Sequence, residues 1–252
     1  MLYMDNVRLI CADCKASLNG IKSDSIQCIV TSPPYNKGVA LKNPPKSLKV
    51  YTWKKYVNNL CSIDYSNYGD NMPQEEYESD MVDLFSSMYR IAKEGGSLFI
   101  NHKTILKDKT AQFPKWIFDI RDWNFYQFLI WNRKAVVNVR KEVFFPTTEY
   151  IFWFTKGKKP KTHKDRCEFK SEVWDIYPDK KMPHPAPFPV KLPLNCINMT
   201  TDPGDIVLDP FCGICSTGVA AKQAGCGFIG FDLCQKYLDI GAKRIEEIQI
   251  PS

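Results

Sequence analysis

DIVLDPFCGICSTGVAAKQAGCGFIGFD, residues Asp205 to Asp232, carries two apolar runs that flank one helical segment. Asp205 to Asp209 reads as a strand, Pro210-Phe211-Cys212-Gly213 as a tight turn, Ser216 to Ala224 as a helix, and Gly227 to Asp232 as a second strand. That succession is a βαβ unit, whose strands are parallel. Its loop lets a nucleoside-containing ligand approach the backbone, and Asp232, about 20 residues on, is placed to accept hydrogen bonds from ribose hydroxyls. The loop lacks the three-glycine spacing of a dinucleotide fingerprint, and no Gly-Lys-Ser/Thr phosphate loop occurs. A ligand without a polyphosphate is therefore favoured, with an ordinary αβ connection as the alternative.

The same alternation runs through the rest of the chain. VRLIC (Val7 to Cys11), IQCIV (Ile26 to Val30), SLFIN (Ser97 to Asn101), FYQFLIWN (Phe125 to Asn132) and EYIFWFT (Glu149 to Thr155) read as strands. Pro73 to Lys93 reads as a helix that opens with Glu75, Glu76 and Glu78, repeats Tyr77, Met81, Leu84, Phe85, Met88 and Ile91 at helical spacing, and stops at Gly95-Gly96. FPKWIFDI (Phe113 to Ile120) and Val190 to Met199 read as further helices, and a terminal helix starts at Gln235. Seven strands among helices predict an α/β fold, a doubly wound and mostly parallel sheet with ligands beyond the carboxyl ends of its strands. Two irregular basic stretches, 37–71 and 156–183, are too long for ordinary connections and read as functional insertions.

Composition suits one large α/β domain: 252 residues, 44% hydrophobic and 25% charged. No uninterrupted apolar window of about 18 residues occurs and the N-terminus has no basic region followed by an apolar run, so neither a membrane span nor a signal peptide is expected and a cytoplasmic location is. The ten cysteines are dispersed, and reduced thiols are expected. Cys11/Cys14 and Cys212/Cys215 have zinc-like spacing but sit on or just after strands, so no metal is expected. The net charge of +6 is concentrated. Lys37, Lys42, Lys46, Lys49, Lys54 and Lys55 interleave with Tyr51, Trp53 and Tyr56; Arg133 to Lys141 form a second cluster; Lys156 to Lys170 form a third. Solvated loops and nucleic-acid contact, with phosphate pairing and base stacking, are both open readings.

TSPPY, Thr31 to Tyr35, breaks the strand that ends at Val30. Pro33 and Pro34 each remove a backbone donor and fix φ, so the turn is stiff. It offers a hydroxyl, rigid carbonyls and an aromatic ring at one sheet edge, which suits an amino group on a flat heterocycle. A cis-proline turn around a buried tyrosine is the structural alternative.

Together TSPPY, HPAPFP (His184 to Pro189), DPFCGICSTG (Asp209 to Gly218) and FIGFD (Phe228 to Asp232) resemble the β group of DNA amino-methyltransferases, which modify cytosine N4 or adenine N6. The resemblance spans nearly the whole chain, residues 1–252 as one domain. It implies a Rossmann-like S-adenosylmethionine-dependent methyltransferase fold with permuted motif order. By this resemblance Ser32, Pro33, Pro34 and Tyr35 hold a flipped base, Ser32 and the Pro33 carbonyl accepting from its amine and Tyr35 stacking on its ring. Asp209, Pro210, Phe211, Gly213, Ser216 and Thr217 line the S-adenosyl-L-methionine pocket, Asp232 holds the ribose, Asp13 lies near the adenine, and Phe188 and Pro189 close over the methionine end. Lys37, Lys42, Lys54, Arg133, Arg140, Lys158 and Lys161 contact double-stranded DNA, with 156–183 as a target-recognition segment. A cognate restriction endonuclease and a second copy of the chain are the protein partners it leaves open.

Two points remain open at this level. Serine ahead of Pro-Pro-Tyr points to cytosine N4, with adenine N6 as the alternative. The family's usual Gly-x-Gly in the cofactor loop is Gly213-Ile214-Cys215, and a Cβ at residue 215 threatens to narrow the approach to the cofactor, giving a catalytically silent DNA-binding protein as the other outcome.

Overall fold

The computed structural model describes residues 2–4, 6–36, 72–107, 110–134, 144–179 and 188–249. Its strands are β1 (Leu2–Met4), β2 (Val7–Cys11), β3 (Ile26–Thr31), β4 (Ala92–His102), β5 (Ile105–Lys107), β6 (Thr110–Gln112), β7 (Asn124–Asn132), β8 (Thr148–Thr155), β9 (Val173–Asp175), β10 (Ile206–Asp209) and β11 (Gly227–Asp232). The helices are α1 (Cys14–Ser17), α2 (Gln74–Ser87), α3 (Lys191–Thr200), α4 (Ser216–Gln223) and α5 (Gln235–Glu246).

Nine strands form one sheet in the order β1-β2-β11-β10-β3-β4-β8-β7-β9. The seven expected strands make its contiguous middle, and β1 and β9 extend the two edges. Each of those two is three residues long, too short for any apolar period to register. Strands β2, β11, β10, β3 and β4 run parallel, while β8 is antiparallel to both β4 and β7. All six positions of β3 and of β11 are buried because helices cover both faces, which explains their mostly apolar character; Gln27, polar inside β3, donates to the Gly95 and Thr200 carbonyls.

On one face Leu192, Cys196 and Ile197 of α3, Val219 and Ala220 of α4 and Leu238 and Ile245 of α5 pack on Val7, Val30, Phe99 and Phe228. On the other, Leu84, Phe85 and Met88 of α2 and the following turn, with Trp116 and Trp123, pack on Ile29, Leu98, Phe152 and Phe231. From β3 the chain crosses to β4 through α2 on the second face, and from β10 it crosses to β11 through α4 on the first. The connections diverge between β3 and β10, which is the switch point where such sheets open a crevice.

Two local expectations change. The helix that was to run to Lys93 ends at Ser87 with a 3-10 turn over Met88–Arg90, and Gly95-Gly96 lie inside β4. The β3–β4 register shifts between Ile26 and Cys28, and Gly95 has φ +73°, so the glycine pair serves an irregularity in the strand instead of a helix stop. Phe113 to Ile120 supplies only a 3-10 turn, Lys115–Asp119, because Pro114 sets its start and Trp116 and Ile117 anchor it to the core. No helix among the described residues is long and apolar enough to cross a membrane.

Candidate active site

The carboxyl edge of the parallel strands gathers the chemistry. Asp209 ends β10 and is 1% exposed. Its Oδ1 accepts from Thr31 Oγ1 at 2.7 Å and from the Phe211 N–H at 3.0 Å, and its Oδ2 accepts from Thr217 Oγ1 at 2.6 Å. Burial pushes this carboxyl up to about 6, against the opposing pull of those three donors. One side chain thus joins the strand leading into Ser32, the loop after β10 and the start of α4.

Asp232 ends the neighbouring β11. Its Oδ2 accepts from the Gly213 N–H at 3.0 Å and its Oδ1 from the Cys234 N–H at 2.8 Å, which fixes the carboxylate plane at the mouth of the loop. An ionised carboxylate offers about four acceptor positions, so vicinal hydroxyls can share these oxygens. Next along the edge, the Ala12 N–H donates to the Asp232 carbonyl, and Asp13 caps α1 by accepting from the Lys15 N–H. Pro210, Ser216 and Thr217 are buried, Phe211 is half-buried, and Phe188 and Pro189 lead into α3 with Phe188 against the first-face core. The set suits a nucleoside: it presents carboxylate acceptors and apolar walls, no lysine or arginine lies in the sequence between Asp209 and Ala221, and the Arg244 guanidinium from α5 is engaged by the Ile214 carbonyl at 2.5 Å.

Cys215 adopts a left-handed conformation, φ 59° and ψ 44°, as the residue before α4. Its side chain is fully buried against α5, and a methyl group built at Gly241 would overlap its Sγ. The side chain therefore leaves the loop mouth and fills space that Gly241 concedes. The Cys212 and Cys215 sulfurs lie 3.6 Å apart, and burial raises the Cys212 thiol well above its ordinary value, so it stays protonated. Among the described residues no cluster of three or more His, Cys, Asp or Glu side chains gathers as metal ligands.

The TSPPY turn follows β3, beside Asp209. Ser32 Oγ lies 2.9 Å from Tyr35 Oη, and the Pro34 carbonyl accepts from Tyr77 Oη at 2.6 Å. Pro33 is buried. No cis peptide bond occurs among the described residues, so the cis-proline alternative does not hold. The Tyr35 ring is half-buried with its centroid 4.4 Å from that of His102, and its hydroxyl points inward to Asn101 Oδ1 and Glu149 Oε2, each at 3.4 Å. Burial, then the Glu149 charge, holds the Tyr35 phenol well above its ordinary value. Asn36, at φ 49°, bonds both the Met72 carbonyl and the Met72 N–H at 3.0 Å, so the segment 37–71 leaves and returns at one point beside the turn.

Asn101, His102 and Glu149 were missed by sequence reasoning. The signal was a polar pair closing the apolar run SLFI and an acidic residue heading the apolar run YIFWF.

The basic residues separate. Arg133 is at this edge, but its guanidinium contacts Glu149 at 3.2 Å and the Pro146 carbonyl at 2.7 Å, and its side chain is 13% exposed. Lys158 is exposed in the loop after β8, and Lys161 pairs with Asp202 and Asp205, both beyond the opposite, amino edge of the sheet, because β8 runs antiparallel to β4 and delivers its end there. The structure therefore does not bring Lys158 or Lys161 to the site. Lys37, Lys42, Lys54 and Arg140 lie outside the described residues, as do the insertion 37–71 and the end of 156–183 from residue 180.

The profile of the DNA methylase family of N6 and N4 enzymes matches residues 26–243. Type II methyltransferase M.Cfr9I of Citrobacter freundii is 25% identical over 97% of this chain and 89% of its own. DNA adenine methyltransferase YhdJ of Escherichia coli is 26% identical over 94% of this chain and 82% of its own. M.BglII of Bacillus subtilis is 25% identical over 87% of this chain, which spans 63% of that relative's length. Among solved structures, the PvuII DNA methyltransferase, cytosine-N4-specific, superposes with a TM-score of 0.74 at 21% identity over 97% of this chain and 88% of its own. TTHA0409 of Thermus thermophilus, solved in complex with S-adenosyl-L-methionine, superposes with a TM-score of 0.64 at 21% identity over 97% of this chain and 98% of its own. The fold is that of these methyltransferases, and with the profile covering most of its length the chain belongs to the N6/N4 DNA methylase family.

Proposed function

We propose that this protein transfers a methyl group from S-adenosyl-L-methionine to the exocyclic amine of a base flipped out of double-stranded DNA, with cytosine N4 as the target. The observation that carries the reading is the Thr31–Asp209–Phe211 connection: one buried carboxylate holds the amine-accepting turn and the nucleoside loop in fixed relation at the switch point. The methyl donor supplies an electrophilic methyl group, and the chain supplies position. Fixed geometry between two reactants can remove roughly 7–11 kcal/mol of barrier.

An exocyclic amine is a weak nucleophile because its lone pair is delocalised into the ring. Ser32 Oγ and the Pro33 carbonyl accept its two hydrogens, which draws the nitrogen toward tetrahedral geometry and localises the lone pair. Tyr77 braces the turn through the Pro34 carbonyl, so these acceptors do not yield as the amine changes shape. Asp232 orients the ribose, Phe211 and Pro210 flank the nucleoside, and Phe188 and Pro189 cover the amino-acid end. The Cys215 side chain, directed into α5, leaves the loop mouth clear and supports an active enzyme over a silent one. Flipping the base costs about a few kcal/mol. The segment 37–71, rooted beside the turn through Asn36 and Met72, offsets that cost by holding the phosphate backbone with its lysines.

Incubation of the purified protein with S-adenosyl-L-methionine and unmethylated genomic DNA, followed by digestion to nucleosides and mass analysis, tests the proposal. N4-methyldeoxycytidine is expected. N6-methyldeoxyadenosine would overturn the choice of base, and absence of any methylated nucleoside would overturn the activity.

A further inference from the structure

Methylation leaves the amine nitrogen cationic, with one proton too many, and a closed base pocket needs somewhere to send it. Ser32 Oγ is within hydrogen-bond distance of Tyr35 Oη, and Tyr35 Oη in turn reaches Glu149 Oε2. Glu149 heads β8 at the carboxyl edge and is 6% exposed. Its other oxygen faces Arg133 from the end of β7 at 3.2 Å and Lys103 from beyond β4 at 3.6 Å. Arg133 and Lys103 balance the charge of this buried carboxylate.

We infer that Ser32, Tyr35 and Glu149 form a proton relay that carries the surplus amine proton from the base pocket to the Glu149 carboxylate. This rests on the proposed methyl transfer. The nitrogen lone pair forms the new N–C bond while the C–S electron pair departs onto sulfur. The amine proton then moves to Ser32 Oγ, the Ser32 hydroxyl proton to Tyr35 Oη, and the Tyr35 hydroxyl proton to Glu149 Oε2. The products are a neutral secondary amine, two neutral hydroxyls and a neutral carboxylic acid, and the proton returns to water after the base leaves. Two features support the direction of flow. The raised Tyr35 phenol stays protonated at neutral pH, so it passes a proton only by exchanging one for another. An alkylated aromatic ammonium is far more acidic than a carboxylic acid, so a carboxylate is a sufficient acceptor. The Asn101 carboxamide, also 3.4 Å from Tyr35 Oη, accepts a hydrogen bond but no proton, and orients the phenol between its neighbours.

Three variants separate the relay from a structural role. Tyr35→Phe keeps the ring and removes the hydroxyl; Glu149→Gln keeps an acceptor oxygen and removes the basicity; Glu149→Asp restores basicity at a longer reach. In single-turnover methylation, Tyr35→Phe and Glu149→Gln are each expected to slow transfer at least about a hundredfold, with DNA and methyl-donor affinities unchanged and partial rescue by Glu149→Asp. Independently of turnover, NMR of ligand-free protein labelled at tyrosine Cζ, with Tyr35→Phe giving the assignment, is expected to show the Tyr35 phenol titrating at lower pH in Glu149→Gln. Wild-type rates in either variant, or an unchanged Tyr35 titration, would overturn the relay while leaving methyl transfer standing. A wild-type protein that methylates nothing would overturn the proposed function and the relay with it.

Discussion

Thr31 Oγ1 donates to Asp209 Oδ1 at 2.7 Å, tying the strand that leads into Ser32 to the strand that leads into the loop of Phe211 and Gly213. The bond is short, buried on both sides and charge-assisted, so the two halves of the site move as one. Asp209 bears a cost for this. Its folded pKa is raised by burial from 3.8 to about 6, so between those values the native state holds a proton that the unfolded chain has lost. Stability from this group is fully present below about pH 4 and is lost as pH rises through 6, amounting to about 3 kcal/mol at neutral pH. Asp209→Asn removes the titration, and Thr217 can rotate to accept from the new amide. Denaturant midpoints between pH 4 and 7 should show the wild type losing stability relative to Asp209→Asn as pH rises. Parallel curves would contradict the assignment.

Cys215 and Gly241 make a second pair, in which one residue exists in the space the other leaves. A left-handed non-glycine residue costs roughly 1–2 kcal/mol, and the buried thiol recovers part of it through packing. Gly241→Ala should destabilise by about 1–3 kcal/mol through overpacking against Sγ. Cys215→Gly should be close to neutral alone, relieving strain while opening a void. In the double variant most of the Gly241→Ala penalty should disappear, because no sulfur remains to collide with. Additive melting shifts would show that the two positions do not couple.

Ser32→Ala tests the proposed amine-accepting role of the turn directly. Loss of one positioned hydrogen-bonding group at a reacting centre typically lowers turnover by about 10²–10³. Ser32 Oγ faces Tyr35 Oη on the turn, so calorimetric affinity for S-adenosyl-L-methionine should stay within about twofold. A matching collapse of methyl-donor affinity would place Ser32 in the cofactor pocket instead.

Much of this arrangement was legible in the chain, for physical reasons that differ by residue. Asp205 to Asp232 was readable because its two strands are buried on both faces and so carry continuous apolar runs, and because the turn between strand and helix needs residues of unusual conformation such as Gly213. The Tyr35 environment was not. His102 and Glu149 arrive from strands about 70 and 115 positions away, and only the antiparallel pairing of His102 with Tyr150 brings them together. Local pattern carries no record of that pairing. The position of the lysines was not legible for a related reason: Lys158 and Lys161 look like Lys42 and Lys54 in composition, and it is the direction of β8 that sends them to the far edge, where Asp202 and Asp205 engage Lys161. Charge clustering reports density along the chain, and the sheet decides which edge receives it.

Asp232→Asn distinguishes a ribose-holding carboxylate from a merely structural one. In the native protein each oxygen of Asp232 accepts one backbone N–H, from Gly213 and from Cys234. An asparagine keeps one acceptor and turns its amide NH₂ toward the other donor, so one buried N–H loses its partner at a cost of about 1–3 kcal/mol. That loss appears in thermal melts without any ligand. If the same oxygens also receive the ribose hydroxyls, affinity for S-adenosyl-L-methionine should fall well beyond what the loop distortion explains, by about tenfold or more for each hydrogen bond to a charged group removed. Methionine, which has no ribose, serves as the internal control, and adenosine, which has one, should lose affinity in parallel with the full methyl donor. If adenosine bound the variant and the wild type equally, Asp232 would be a strut for the Gly213 loop and the ribose would be held elsewhere.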